Sequence, residues 1–168
     1  MLRINDTPTA WDERTQLTTF LDYARHTALA KCEGVSAENA CKAVLPSSPL
    51  MTINGLISHL RWVENQWFRV VFLGEEDHAP WTDEDPDREM RIAVDIPLPR
   101  LLDEYAENSA HYRTLVAAHS LDTLARRTIR DGVRVDLRWI LLHLTEETAR
   151  HNGHLDILRE LLDGTTGK

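Results

Sequence analysis

The stretch LRWILLHLTEETARHNGHLDILREL, residues 137–161, has apolar residues at Leu137, Ile140, Leu141 and Leu144, and again at Leu155 and Leu158. Steps of three and four place all of these on one face of an α-helix. With Leu162 continuing the row and Gly164 as a stop, the pattern predicts a helix from about Asp136 to Leu162. Extrapolated from Leu144, the same steps land on Glu147 or Thr148 and then on His151, so ligand-type residues interrupt the apolar face in its middle. Four residues turn a helix by about 400°, so Glu147 and His151 are offset by only about 40° and stack one turn apart. They are placed to share one ion.

Three further long helices are predicted by the same periodicity. Leu17, Phe20, Leu21, Ala24 and Ala28 trace the first, roughly residues 10–32, with N-cap chemistry at Thr7–Thr9 and Gly34 as its stop. Ser36, with Glu38 and Asn39, begins a short helical stretch that ends before Pro46, and PSSP (46–49) breaks the chain. Ile53, Leu56, Leu60, Val63, Trp67 and Val70 keep one face apolar from Thr52 to Gly74. Leu98, Leu101, Leu102, Tyr105, Ser109, Tyr112 and Val116 make another, with Pro97 and Pro99 near its start, where a missing amide hydrogen costs little. Between them, residues 74–97 are acidic and proline-rich without a sustained period, and read as a long solvated loop, or as a lid carrying Trp81. RTIRDGVRVDLRW (127–139) reads as an extended or hairpin-like connector turning at Asp131-Gly132. Four long amphipathic helices pack most economically as an all-α four-helix bundle, here a single domain over residues 1–168.

Composition removes several functions. A formal charge of −8 argues against a phosphate-binding surface, so nucleic acid is not an expected partner. No apolar run is long enough to span a bilayer, and MLRINDTPTAWDER (1–14) lacks the apolar centre of a signal peptide; a soluble, cytoplasmic protein is expected. Cys32 and Cys41 have neither zinc-knuckle nor disulfide-framework spacing and read as two small, partly buried thiols. The acidic run lacks the spacing of an EF-hand, and no nucleophile elbow, Walker loop or dinucleotide fingerprint occurs. Metal chemistry or binding remains.

His59 lies on the edge of the apolar stripe of the 52–74 helix, and facing helices in a bundle lie about 8–10 Å apart, within side-chain reach of a common centre. His59, Glu147 and His151 are therefore the candidate metal ligands, since a carboxylate turned toward an apolar core is most simply compensated by a cation. His143 precedes Glu147 by one turn and His154 follows His151 by three residues; either is placed as a fourth ligand, and both read better as pocket residues or proton carriers. Trp62, off the main stripe, is expected to line a pocket mouth and touch a bound cosubstrate, while Trp67 and Trp139 read as core or rim. Glu64 and Gln66 read as solvated or interhelical polar residues. Gly153 leaves room for the close approach of another helix.

TINGLISHLRWVENQWF (52–68) taken together with the opening stretch resembles the DinB-like metalloprotein superfamily, in its actinobacterial branch related to mycothiol-dependent maleylpyruvate isomerases and thiol S-transferases. The resemblance implies an up-down-down-up bundle holding a divalent ion, zinc first, with nickel or iron as alternatives. It maps the ligands of the isomerase branch onto His59, Glu147 and His151. Many other members carry His-x-x-x-His in the last helix, so Glu147 sides with the thiol-using branch. The extra C-terminal domain that some of the isomerases carry has no counterpart here, which turns the expectation away from maleylpyruvate. The resemblance thus implies a metal-dependent thiol S-transferase or isomerase, with mycothiol as cosubstrate and a small electrophile as second substrate; a homodimer through exposed helix faces is a separate expectation. A non-catalytic, stress-related metal-binding bundle and a metal-dependent hydrolase are the rival readings, with a non-haem iron oxygenase behind them.

Overall fold

The computed structural model describes residues 4–167, the side chain of Asp131 excepted; the outermost residues of the expected 1–168 domain lie outside them. Among the described residues six α-helices occur, in the order α1 (Glu13–Lys31), α2 (Ala37–Cys41), α3 (Ile53–Asn65), α4 (Arg88–Arg91), α5 (Leu98–Ala117) and α6 (Leu137–Asp163). The described residues contain no β-strand, only an isolated antiparallel bridge between Leu124 and Asp136.

Short polar side chains start four of these helices by accepting orphan amide hydrogens: Asp12 from Thr15, Ser36 from Asn39, Thr52 from Gly55 and Asp136 from Trp139. The first long helix therefore begins at Glu13 and not near residue 10, because its cap is Asp12 and not the Thr7–Thr9 cluster. Gly164, at φ 74°, ends α6 in the left-handed conformation that a side chain disfavours. The connector 127–139 does turn back on itself: the Ile129 amide donates to the Val133 carbonyl at 2.7 Å, with Gly132 at φ 73°.

Contacts between named residues give the relative directions of the long helices. Along α1 and α6, Glu13 pairs with Arg138, the Ala24 carbonyl accepts from Asn152, and the Lys31 carbonyl accepts from Arg159, so the two run parallel. Along α5 and α3 with the turns that continue α3 to Phe72, Arg61 meets Glu104 and Phe68 stacks on Tyr112, again parallel. Across α3 and α6, His59 faces Glu147 while Trp67 faces Trp139, and across α1 and α5, Asp22 meets Arg113 while Arg14 donates to the carbonyls of Val116 and His119. Those two pairs are antiparallel.

The apolar interior falls into two clusters. One gathers Leu21, Phe68, Tyr112 and Leu144, the other Ala28, Leu60, Tyr105 and Leu155. Between them, at one level of all four long helices, sits a polar layer. Arg25 donates to both oxygens of Glu64 at 2.7 and 2.8 Å, Tyr105 donates to Glu64 Oε1 at 3.3 Å, and Thr148 and Asn152 complete the level on α6. Of the two roles open to Glu64, solvated or interhelical, the second is the one it takes, at 1% exposure.

Beyond Asn65 the α3 helix widens into a π-helix, Gln66–Phe72, in which the Leu73 amide bonds to Phe68 five residues back. The expected solvated loop needs correction over its second half. Arg88–Arg91 form α4 and Ile92–Asp95 a 3-10 turn, because Met90, Ala93 and Ile96 recur at threes and pack into the second apolar cluster. Asn54, 1% exposed on α3, fastens this segment by donating to the carbonyls of Ala93 and Ile96 at 3.1 and 2.8 Å. Asn54→Ala should cost about 1–3 kcal/mol, since it strips a donor from two carbonyls in a buried setting. Urea titration at neutral pH measures it, and a loss below a few tenths of a kcal/mol would refute this fastening.

Candidate metal centre

The α6 row extrapolated from Leu144 splits in two. Thr148 and Asn152 take the core positions, while Glu147 and His151 lie one position to the side, part-buried and facing α3. That offset brings them to His59. Glu147 Oε1 lies 3.4 Å from His59 Nε2 and 3.2 Å from His151 Nε2, and the two imidazole centroids are 4.9 Å apart. One donor atom from each of His59, Glu147 and His151 lies within 4.8 Å of the others, so the three expected ligands do converge. Two imidazole nitrogens and one carboxylate oxygen form a set that suits zinc and leaves a fourth position open.

The far side of each ring is also occupied. His59 Nδ1 lies 2.9 Å from Oε1 of Glu89, and His151 Nδ1 lies 3.2 Å from Nδ1 of His154. Histidines that bind metals ordinarily have their second nitrogen held in this way, so the donors present fit a divalent ion. Sequence reasoning passes over Glu89 because it sits in the acidic run. The available signal is its place beside Met90, first of the three apolar residues that recur through α4 and the 3-10 turn after it.

Charge follows this geometry. Burial works against a proton on His59, but the bonds to Glu147 and Glu89 outweigh it and raise its pKa to about 9. The bonds from His151 and His59 hold the Glu147 carboxyl far below the usual carboxylate range against the opposing effect of burial, and Arg150, 3.4 Å away, adds to them. His154 is lowered by burial and then by the neighbouring charges of His151 and Arg150.

The remaining expected site residues form two flanks. His143 does not reach the ligand cluster; it stacks on Trp139 with centroids 5.0 Å apart and planes 9° apart, and meets Trp67 edge-on at 4.6 Å. Burial lowers its pKa against the pull of Glu147 and Glu146. Trp62, one turn beyond His59, packs against Trp81 of the acidic segment at 6.3 Å, with the Arg61 guanidinium 4.8 Å from its ring centre. Gly153 is not a close-approach site: a Cβ there would meet nothing within 4 Å. Of the cysteines, Cys32 is buried and Cys41 part-buried; burial pushes the Cys32 thiol up to about 12, so it carries no thiolate at neutral pH.

A family model described as mycothiol-S-transferase matches residues 16–164, from the first turn of α1 to the end of α6. The chain belongs to the mycothiol S-transferase family. No curated protein matches it. Membership in the mycothiol S-transferase family agrees with the resemblance seen in residues 52–68 and 137–161. It also points to a small-molecule thiol as the partner, which accords with a chain whose most buried cysteine is held as the neutral thiol.

Proposed function

We propose that this mycothiol S-transferase family member is a metal-dependent enzyme that joins the sulfur of mycothiol to a small electrophile, or isomerises that electrophile through the thiol. One observation carries the reading. Two antiparallel helices bring His59, Glu147 and His151 within a common coordination distance, and each imidazole has its remote nitrogen held by a neighbour. Zinc is the ion this donor set favours, with nickel or iron as alternatives. The pairwise helix directions support an up-down-down-up four-helix bundle forming one domain over 1–168.

A divalent ion held by the three ligands would keep a bound thiol deprotonated at neutral pH and so supply the nucleophile. The chain's own residues do the rest. The S–H proton passes to a neutral imidazole: His143 and His154 both have lowered pKa values and flank the cluster on α6. The same proton then goes to the leaving group of the electrophile as the new S–C bond forms. With His151 bound to an ion through Nε2, its Nδ1–H donates to His154 Nδ1, so His154 steadies that ring only until it takes the proton itself, and His143 is the carrier that leaves the contact intact. Trp62 and Trp81 form an apolar wall one turn from His59, suited to the carbon skeleton of either substrate.

No described helix is long and apolar enough to cross a membrane, and the net charge of −8 disfavours nucleic acid. A cytoplasmic enzyme, homodimeric through exposed α6 residues such as Ile157 and Leu161, completes the proposal.

Metal analysis of the purified protein beside its His151→Ala variant tests the ligands: one ion per chain is expected in the first and much less in the second, and equal stoichiometry refutes the assignment. Incubating the metal-loaded protein with mycothiol and a panel of electrophiles tests the chemistry. Thiol loss above a metal-free control is expected; none would favour a non-catalytic metal-binding bundle, and electrophile hydrolysis without thiol loss would favour a hydrolase.

A further inference from the structure

We infer that Glu89 is a positioning residue of the proposed metal centre: its buried carboxylate accepts the Nδ1 hydrogen of His59 and so turns the Nε2 lone pair toward Glu147 and His151. This role rests on the metal-dependent reading of the centre.

The geometry is specific. Glu89 Oε1 lies 2.9 Å from His59 Nδ1, and the residue is 2% exposed although it belongs to the most acidic part of the chain. Its second oxygen, Oε2, is buried with no hydrogen-bond partner among the described residues. A carboxylate taken from water and given so little in return is costly, by several kcal/mol in an apolar setting, so solvation alone would turn Glu89 outward as it does its neighbours. What holds it inward is backbone. Ser58 Oγ donates to the Glu89 carbonyl at 2.7 Å, and Asn54 fastens the following turn. Asn54, Ser58 and His59 thus use one side of α3 to seat α4 and to present Glu89 to the imidazole.

The two histidines are supported differently, and that decides where the effect should appear. His151 has a second imidazole behind it, while His59 has an anion. An anionic partner both selects the tautomer and raises the donor strength of the far nitrogen; its loss typically weakens metal binding about 10–100-fold. With Glu147, Glu89 also supplies the second negative charge that balances a divalent ion.

Zinc affinity measured by competition with a chromophoric chelator, and the visible spectrum of the cobalt-substituted protein, test this without any activity assay. Glu89→Gln keeps the volume and an acceptor oxygen but removes the charge, and should weaken zinc about tenfold; Glu89→Ala should approach 100-fold and alter the cobalt bands. Glu89→Asp, which restores the charge at shorter reach, should recover part of the affinity. Melting of the metal-free variants reports on folding separately. Zinc binding within about twofold of the wild type in both Gln and Ala variants overturns the inference while leaving the metal centre standing. A wild-type protein that takes up no stoichiometric zinc overturns both.

Discussion

Glu64→Gln is expected to destabilise the protein by about 3–5 kcal/mol, the cost of leaving a buried guanidinium without its carboxylate. Arg25 donates through Nε and Nη2 to the two oxygens of Glu64 at 2.7 and 2.8 Å, both side chains being nearly inaccessible to water. Asp22 accepts only from Nη1, at 3.0 Å, and is itself shared with Arg113, so it cannot replace the lost partner. Glutamine keeps one carbonyl oxygen for Nε and Tyr105 but turns an NH2 donor toward Nη2, where two donors then face each other. For a chain of this size each kcal/mol lowers the melting temperature by roughly 2–4 °C, so a fall of about 6–20 °C should be seen. The double replacement Arg25→Met with Glu64→Leu should recover much of this, because removing both charges removes the desolvation cost. Urea and thermal unfolding at neutral pH measure the effect; a single-variant loss under about 1 kcal/mol would show that the pair is not desolvated as described.

Zinc affinity should rise steeply with pH, about tenfold per unit between pH 7 and 9, and level off above 9. In the metal-free protein His59 has a pKa of about 9, burial being outweighed by its bonds to Glu147 and Glu89, so at neutral pH an ion must displace a proton from Nε2. From pH 7 to 9 that competition amounts to about 100-fold. The stability of the metal-free protein runs the opposite way. A histidine whose pKa is raised on folding contributes fully below its unfolded value, near 6.5, and that contribution is lost as pH rises through about 9. The Glu147 carboxyl, held low, contributes above the ordinary carboxylate range and loses its contribution as pH falls below it; part of this is the same His59 bond seen from its other end. Calorimetric titration of zinc in two buffers of different ionisation enthalpy should register about one proton released per ion at pH 7. An affinity that stays flat from pH 7 to 9 would mean that no proton on His59 Nε2 competes with the ion in that range.

The amino-acid order alone determined where the long helices run and which residues could bind an ion. Apolar residues at threes and fours define α1, α3, α5 and α6, and the break at Glu147 and His151 was visible because it violates that same local rule. Residues one helical turn apart on a single element are neighbours whatever the rest of the chain does. Tertiary packing decided what local rules do not encode. Whether Glu147 or Thr148 enters the core depends on which neighbour α6 faces, and the structure gave Thr148 to the interior and Glu147 to α3. Glu64 reads from its own segment as either solvated or interhelical, and it is Arg25, from a different helix, that draws it inside. Glu89 looked like one more acid in a loop, because its role depends on Asn54 and Ser58, some thirty residues earlier, holding α4 against α3. A carboxylate's burial is set by partners that arrive from distant parts of the chain, and no periodicity within its own segment can announce them.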